Sequence, residues 1–261
     1  MGDRGITKQI KGKLFISTRP AGRSAKLRKL LEEQGAKLIE MPMIDIRKSP
    51  LSIRELQLIK NTKQFNWIVF TSSNGVRGFF EQLKSISGSY KTGGMTKIAV
   101  IGKDTGMELS NFDHDADYVS TRSTGKAFSA ELHKMFRGGN YKILLPAGNL
   151  ARSTIEDRLS DIADVVRVNV YNTEMPGCIN YEALKCIEDD KYEMIIFTSS
   201  SGFNNFCLIS GDKINIKTLR IACIGSTTAE SVARAGVSPL VIATKMNSRG
   251  IVEAITDYYK V

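Results

Sequence analysis

Only two histidines and four cysteines occur in the 261 residues, and no two cysteines form a CxxC pair. Cys178, Cys186, Cys207 and Cys223 lie far along the chain from His114 and His133. Neither a zinc site nor a disulfide framework is therefore expected, and the cysteines read as small buried or half-buried thiols. No apolar run approaches the roughly 20 residues that cross a bilayer. The opening stretch MGDRGITKQIKGK is polar and basic, without the apolar segment that marks secretion. A cytoplasmic location with no membrane partner is the expectation. Nucleotide and hydrolase fingerprints are missing too: no GxGxxG follows an apolar run, STRSTGKAFS has Ser120 where a phosphate loop has its leading Gly, and there is no GxSxG or HExxH. Nicotinamide, flavin and ATP chemistry are not expected, and His114 and His133 read as surface residues.

What the chain does have is positive charge and repetition. Lys and Arg number 37 against 27 Asp and Glu, a net charge of +10. Nucleic acid, an anionic small molecule or a solvated surface each accommodates that excess. A nucleic-acid face would need contiguous basic residues interleaved with aromatics, and these lysines and arginines are scattered, so no nucleic-acid partner is expected. With 42% hydrophobic and 25% charged residues, the composition is that of a globular protein of one large or two ordinary domains.

Four blocks favour two domains. KLFISTRPAGRS resembles KILLPAGNLARS, WIVFTSSNG matches MIIFTSSSG, KIAVIGKDTG matches RIACIGSTTA, and STGKAFSAEL matches NSRGIVEAIT. They recur in the same order about 125 residues apart, the mark of an internal repeat. The runs LFIS, WIVFT, IAVIG, ILLPA, MIIFT and IACIG are short, continuously apolar and largely β-branched, as strands covered on both faces must be. Between them lie amphipathic stretches. SAKLRKLLEEQGA puts Leu27, Leu30 and Leu31 on one face before a terminating Gly, and TTAESVARAGV reads as a threonine cap, Val232 and Ala233 inside, and Gly236 as terminator. Alternating strands and helices predict a doubly wound parallel sheet, built twice. MPMIDIRKSP (41–50) and VVRVNVYNTEMPG (165–177) alternate like partly exposed strands and end in Pro or Pro-Gly, so they read as paired connectors. With two crossings, one domain is discontinuous.

In such sheets ligands sit beyond the carboxyl ends of the strands. The loops there are STRPAGRS, TSSNG, GKDTG, PAGNLARS, TSSSG and GSTTA. Their Ser, Thr, Asn and Gly offer hydroxyls and backbone N–H groups at helix N-termini, suited to carboxylates or phosphates. Each hydroxyl also reads as a plain helix cap.

The series TRPAGRSAKLRKLLEEQGAKLIEMPMIDI, WIVFTSSNGVRGFF, KIAVIGKDTG, VVRVNVYNTE, MIIFTSSSGFNNF and RIACIGSTTAESVARAGV resembles the uroporphyrinogen-III synthase family nearly end to end. The resemblance implies two flavodoxin- or Rossmann-like α/β domains joined by a two-stranded β linker, with the active site in the cleft between them. Carried over, residues 1–43 join 173–261, residues 51–166 form the other domain, and 44–50 with 167–172 make the linker. It implies cyclisation of hydroxymethylbilane, an octacarboxylate linear tetrapyrrole, with loss of water and inversion of the last ring, and no metal or organic cofactor. Loss of the hydroxyl is driven by the substrate's own pyrrole, and a spiro intermediate follows. The protein's task is then to hold two ends of a flexible chain together and to supply a proton donor.

That donor is expected to be Tyr171 in NVYNT. Thr105 and Thr228, after the Ile-Gly strands, are expected as helix caps that bind substrate side chains, with Lys103 and Thr227 beside them. Ser72, Ser73, Asn74, Ser199, Ser200 and Ser201 would bind through hydroxyl and N–H, and Thr18, Arg19, Gly148 and Arg152 complete the set from the remaining loops. Tyr171 also reads as a packing residue and the arginines as solvated. The chain departs from the family where LLPAGN has Ala147 in place of a common Arg, and where GKDTG ends in Gly106. A monomer is expected, supplied by the upstream hydroxymethylbilane synthase. The competing reading is a non-catalytic two-lobed binding protein for an anionic small molecule.

Overall fold

A computed structural model describes residues 9–122 and 124–260. Most of the basic opening stretch, and Ser123 of STRSTGKAFS, lie outside the described residues. From the N-terminus the elements are β1 (Leu14–Ser17), α1 (Ala25–Glu33), β2 (Lys37–Glu40), β3 (Asp45–Lys48), α2 (Ile53–Lys60), β4 (Trp67–Phe70) and α3 (Ser73–Ser87). There follow β5 (Lys97–Val100), α4 (Gly102–Ser110), β6 (Tyr118–Val119), α5 (Gly125–Phe136), β7 (Tyr141–Gly148), α6 (Thr154–Leu159) and β8 (Ala163–Glu174). The chain ends with α7 (Tyr181–Glu188), β9 (Met194–Phe197), α8 (Ser200–Ser210), β10 (Ile221–Cys223), α9 (Ser226–Arg234), β11 (Val241–Ile242) and α10 (Ser248–Tyr258).

Contacts divide the chain into two compact units, Met1–Asp45 with Glu174–Val261, and Ile46–Thr173. The first holds a five-stranded sheet in the order β11-β10-β9-β1-β2, parallel throughout. The second holds a six-stranded sheet in the order β3-β8-β7-β4-β5-β6, parallel from β8 to β6. The order of the first is that of flavodoxin-type sheets, with a switch point between β1 and β9. The second carries the same order in permuted form, with its switch point between β7 and β4.

Strands β4, β9 and β10 are buried at every position, and β1 and β5 at all but their first residue, which explains the unbroken apolar runs. In the first unit Ile16, Ile195, Phe197 and Ile221 pack to one side while Phe15, Met194, Ile196 and Ala222 pack to the other. In the second, Ile68, Phe70 and Leu144 face α3, and Val69, Ala99 and Ile143 face α5. Helix α3 meets its sheet through Val76, Phe79, Phe80 and Leu83, the i, i+3, i+4, i+7 pattern of one helical stripe. Phe79 is fully buried, so truncating it to Ala costs about 3–5 kcal/mol.

Residues 44–50 and 167–172, expected as a linker ladder, carry β3 and much of β8, neighbours at the edge of the six-stranded sheet. Three other expectations, each about a single residue, do change. His114 stacks on Phe80 with centroids 4.8 Å apart and places Nε2 2.9 Å from the Tyr90 carbonyl, because the chain turns back at Asp113. Cys178 is exposed, whereas Cys223 is buried and burial pushes its thiol up to about 12. On α9, Val232 is buried but Ala233 is exposed, since the helix turns that position to solvent. Among the described residues no helix is long and apolar enough to cross a membrane.

Candidate functional site

The loops at the two switch points were built by the same local rules. In the second unit Ser72 caps α3, its Oγ accepting from the Gly75 N–H at 3.0 Å. In the first unit Ser199 caps α8, its Oγ accepting from the Gly202 N–H at 3.1 Å. The next serine of each loop reaches sideways: Ser73 Oγ donates to the Asp104 carbonyl at 3.4 Å, and Ser200 Oγ donates to the Thr227 carbonyl at 3.2 Å. Each capped helix is thereby tied to the first turn of its neighbour, α3 to α4 and α8 to α9.

Those neighbours have no side-chain cap. The residues before α4 and α9 are Ile101 and Gly225, neither of which supplies a side-chain cap bond. Their first N–H groups are free to meet an anion at the positive end of the helix dipole. Thr105 and Thr228, expected as caps, instead lie inside the first turn, each 4% exposed. Helix starts two or three residues earlier put them there. Neither hydroxyl has a partner among the described residues, and neither is a sealed orphan oxygen, so each retains an open face. Lys103 and Thr227 are exposed beside them.

Tyr171 owes its position to an irregularity in β8. The strand pairs with β7 in regular register up to Ala147 opposite Asn169, and then Gly148 stands opposite Tyr171, so Val170 is an extra residue. Strict alternation would send Tyr171 to the face opposite Val166, Val168 and Val170. The bulge restores it to theirs, the α3 side. There the Tyr171 hydroxyl lies 3.3 Å from Ser72 Oγ. Its ring covers Gly148 so closely that a Cβ on that glycine would fall 2.4 Å from Tyr171 Cζ. Only glycine admits the ring there.

The remaining candidates divide. Thr18 donates to the Ile196 carbonyl at 2.9 Å and is 2% exposed, so it stitches β1 to β9. Arg19 is half-buried, donates to Ser248 Oγ at 3.0 Å and to the Arg23 carbonyl at 3.3 Å, and has its pKa lowered by burial. Asn74 Oδ1 accepts from Arg77, and Ser201 Oγ lies 3.3 Å from Ser199 Oγ. Arg152 is exposed. Three contacts were invisible in the sequence pattern. Arg77 forks onto Glu108 with two bonds of 2.6 Å, bracing α3 against α4. Asn149 exchanges bonds with Thr173, 2.8 Å and 3.3 Å. Arg167 grips the loop after β7, with 2.7 Å to the Gly148 carbonyl. Among the described residues no cluster of three or more His, Cys, Asp or Glu is placed to hold a metal ion.

Doubled parallel sheets, each with a serine-capped helix at its switch point and a helix without a side-chain cap beside it, define an internally repeated α/β protein. The family described as uroporphyrinogen-III synthase HemD matches residues 25–253, and the chain belongs to that family, whose members are lyases of tetrapyrrole biosynthesis. The chain is 26% identical over 253 residues to the porphyrin biosynthesis protein HemD of Ruminiclostridium josui, covering 97% of this chain and 50% of that protein. It thus spans half of that relative's length. It is 26% identical to the uroporphyrinogen-III synthase of Synechococcus elongatus, covering 95% of this chain and 91% of the relative. The fold is that of the uroporphyrinogen-III synthetase structure from Helicobacter pylori, with a TM-score of 0.62 at 17% identity over 94% of this chain and 99% of the other.

Proposed function

We propose that the chain converts hydroxymethylbilane to uroporphyrinogen III, with Tyr171 as the proton donor that assists departure of the hydroxyl. The observation that carries the residue assignment is the bulge that aims the Tyr171 phenol at Ser72, the residue next to Ser73, whose hydroxyl bonds the first turn of α4. Substrate carboxylates are received by the N–H groups opening α4 and α9 and by the open hydroxyls of Thr105 and Thr228. Lys103 and Arg152 supply long-range attraction and charge-assisted hydrogen bonds. Tyr171 donates as the C–O bond breaks and water leaves. The proton released when the last ring regains its aromatic form restores the phenol. The rest of the acceleration comes from holding the two ends of the substrate in the inverted arrangement, which the free chain rarely adopts.

The proposal includes a cytoplasmic monomer that receives its substrate from hydroxymethylbilane synthase. It also includes the division of labour among Ser72, Ser73, Asn74, Ser199, Ser200, Ser201 and Thr227 as hydroxyl and N–H donors, with Thr18, Arg19 and Gly148 shaping the loops. To test the activity, hydroxymethylbilane is supplied, the products are oxidised and the porphyrin isomers are resolved. The inverted isomer is expected above the spontaneous background. Finding only the uninverted isomer, at the uncatalysed rate, would leave a binding protein for an anionic tetrapyrrole.

A further inference from the structure

We infer that Arg167 is a positioning residue for Tyr171, acting through the turn that follows β7; the inference rests on the role proposed for Tyr171 above. A guanidinium has five N–H donors, and all of those of Arg167 are engaged. Nε donates to Asn169 Oδ1 at 2.9 Å. One terminal nitrogen donates to the Ala151 carbonyl at 3.1 Å and to Glu156 Oε1 at 3.0 Å. The other donates to the Gly148 carbonyl at 2.7 Å and to the Ala151 carbonyl at 3.1 Å. No donor is left for a substrate carboxylate, which separates Arg167 from Arg152, exposed on the loop after β7.

What Arg167 holds is the turn from Gly148 to Ala151, itself closed by the Ala151 N–H on the Gly148 carbonyl at 3.0 Å. Gly148 is the floor under the Tyr171 ring. From the other side Asn149 binds β8, its N–H donating to the Tyr171 carbonyl at 3.2 Å. Arg167 and Tyr171 thus share one strand but point to opposite faces of it, an outcome of the bulge between them. Glu156, at the start of α6, fixes the fork from behind, and its second oxygen is buried without a partner. Among the described residues Arg167 is the cation paired with that carboxylate, and the five bonds together fix the guanidinium in one orientation. Loosening the fork frees the Gly148 carbonyl, lets the turn shift, and takes the ring and its hydroxyl away from Ser72.

The test is a double-substitution cycle with steady-state kinetics on hydroxymethylbilane. Arg167→Ala is expected to lower kcat about ten- to a hundredfold, the usual consequence of misplacing a reacting group by about 1 Å, while KM changes little. Arg152→Ala should show the opposite split, raised KM with kcat kept. Arg167→Lys, which keeps the charge but has no fork to span two carbonyls, should restore activity only in part, and it serves where Arg167→Ala fails to fold. In a Tyr171→Phe background the Arg167 substitutions should add almost nothing. If Tyr171→Phe lowers kcat and Arg167→Ala multiplies that loss in full, or leaves kcat unchanged on its own, Arg167 does not act through Tyr171. If Tyr171→Phe alone leaves kcat unchanged, the donor assignment falls first and the purpose assigned to Arg167 falls with it.

Discussion

The Tyr171 hydroxyl and the Ser72 Oγ, 99 residues apart in sequence, meet at 3.3 Å. Ser72 Oγ also accepts from the Gly75 N–H at 3.0 Å, so the serine joins the tyrosine to the N-terminus of α3. Tyr171→Phe should leave the protein folded, with turnover lowered by about 10²- to 10⁴-fold if the phenol acts as a full general acid and less if it only assists. Ser72→Ala removes both bonds and should cost about 1 kcal/mol of stability through the lost cap, together with part of the turnover. Stopped-flow product formation and thermal melts measure the two effects. Unchanged turnover in Tyr171→Phe would make the residue a packing group.

Gly148→Ala puts a methyl carbon where the Tyr171 ring stands, 2.4 Å from Cζ. The ring must move or the turn must, at a cost of about 1–3 kcal/mol for overpacking. Turnover should fall with stability. Combining it with Tyr171→Ala should return the lost stability but not the activity. A melting temperature for Gly148→Ala equal to that of the parent would show that the ring is not held against this glycine.

Thr105 and Thr228 are each 4% exposed, with hydroxyls that lack a partner among the described residues. Replacing both with Val preserves shape, so the fold should tolerate it. Each hydroxyl bonded to a charged carboxylate contributes about 1.5–3 kcal/mol, and the double variant should raise KM at least about tenfold. Titration with hydroxymethylbilane or a stable tetrapyrrole carboxylate measures this. Affinity equal to the parent's would make both threonines packing residues of their helices.

A pH dependence follows from Glu193, which accepts from the Tyr259 hydroxyl at 2.5 Å and from Lys13 Nζ at 2.9 Å. Burial pushes the carboxyl up, but the bonds from Tyr259 and Lys13 outweigh it and hold its pKa below the ordinary value. A carboxyl depressed by folding stabilises the protein above its unfolded pKa, about 4.3 for Glu, and loses that contribution as pH falls through the folded value. The melting temperature should therefore decline below about pH 4.5, and Glu193→Gln should flatten the decline. An identical acid limb in parent and variant would show that the pair contributes nothing.

The sheets were legible because strands covered on both faces must be apolar without interruption, and WIVF and MIIF are buried at every position. The serine caps were legible because a hydroxyl three residues before a glycine N–H is a local signal. Thr105 and Thr228 were misread as caps because α4 and α9 begin three and two residues before them, at Gly102 and Ser226, after Ile101 and Gly225, which carry no capping hydroxyl. The bulge at Val170 leaves no mark in NVYNTE, since alternation reads the same whether one residue is extra or not. Arg167 and Glu156 look like solvated charges in any window. Only the turn between them, 19 residues away from Arg167 at Gly148, gives them a shared purpose.

The extra residue in β8 also explains how two near-copies come to differ. In the first unit the corresponding strand, β2, leads into Met41 and Met43, and Met43 Cβ would lie 3.9 Å from a Cβ at Gly202, beside Ser199 and Thr18. Its capping serine, Ser199, has the Ser201 hydroxyl 3.3 Å away, where its twin Ser72 has the Tyr171 phenol. Duplication alone would have yielded two equivalent halves. Inserting one residue rotates a strand by half its period, and that is enough to bring a phenol to the capping serine of one half and not of the other. The asymmetry is a matter of phase in a strand, which a single deletion at Val170 would erase without touching any residue of the loops.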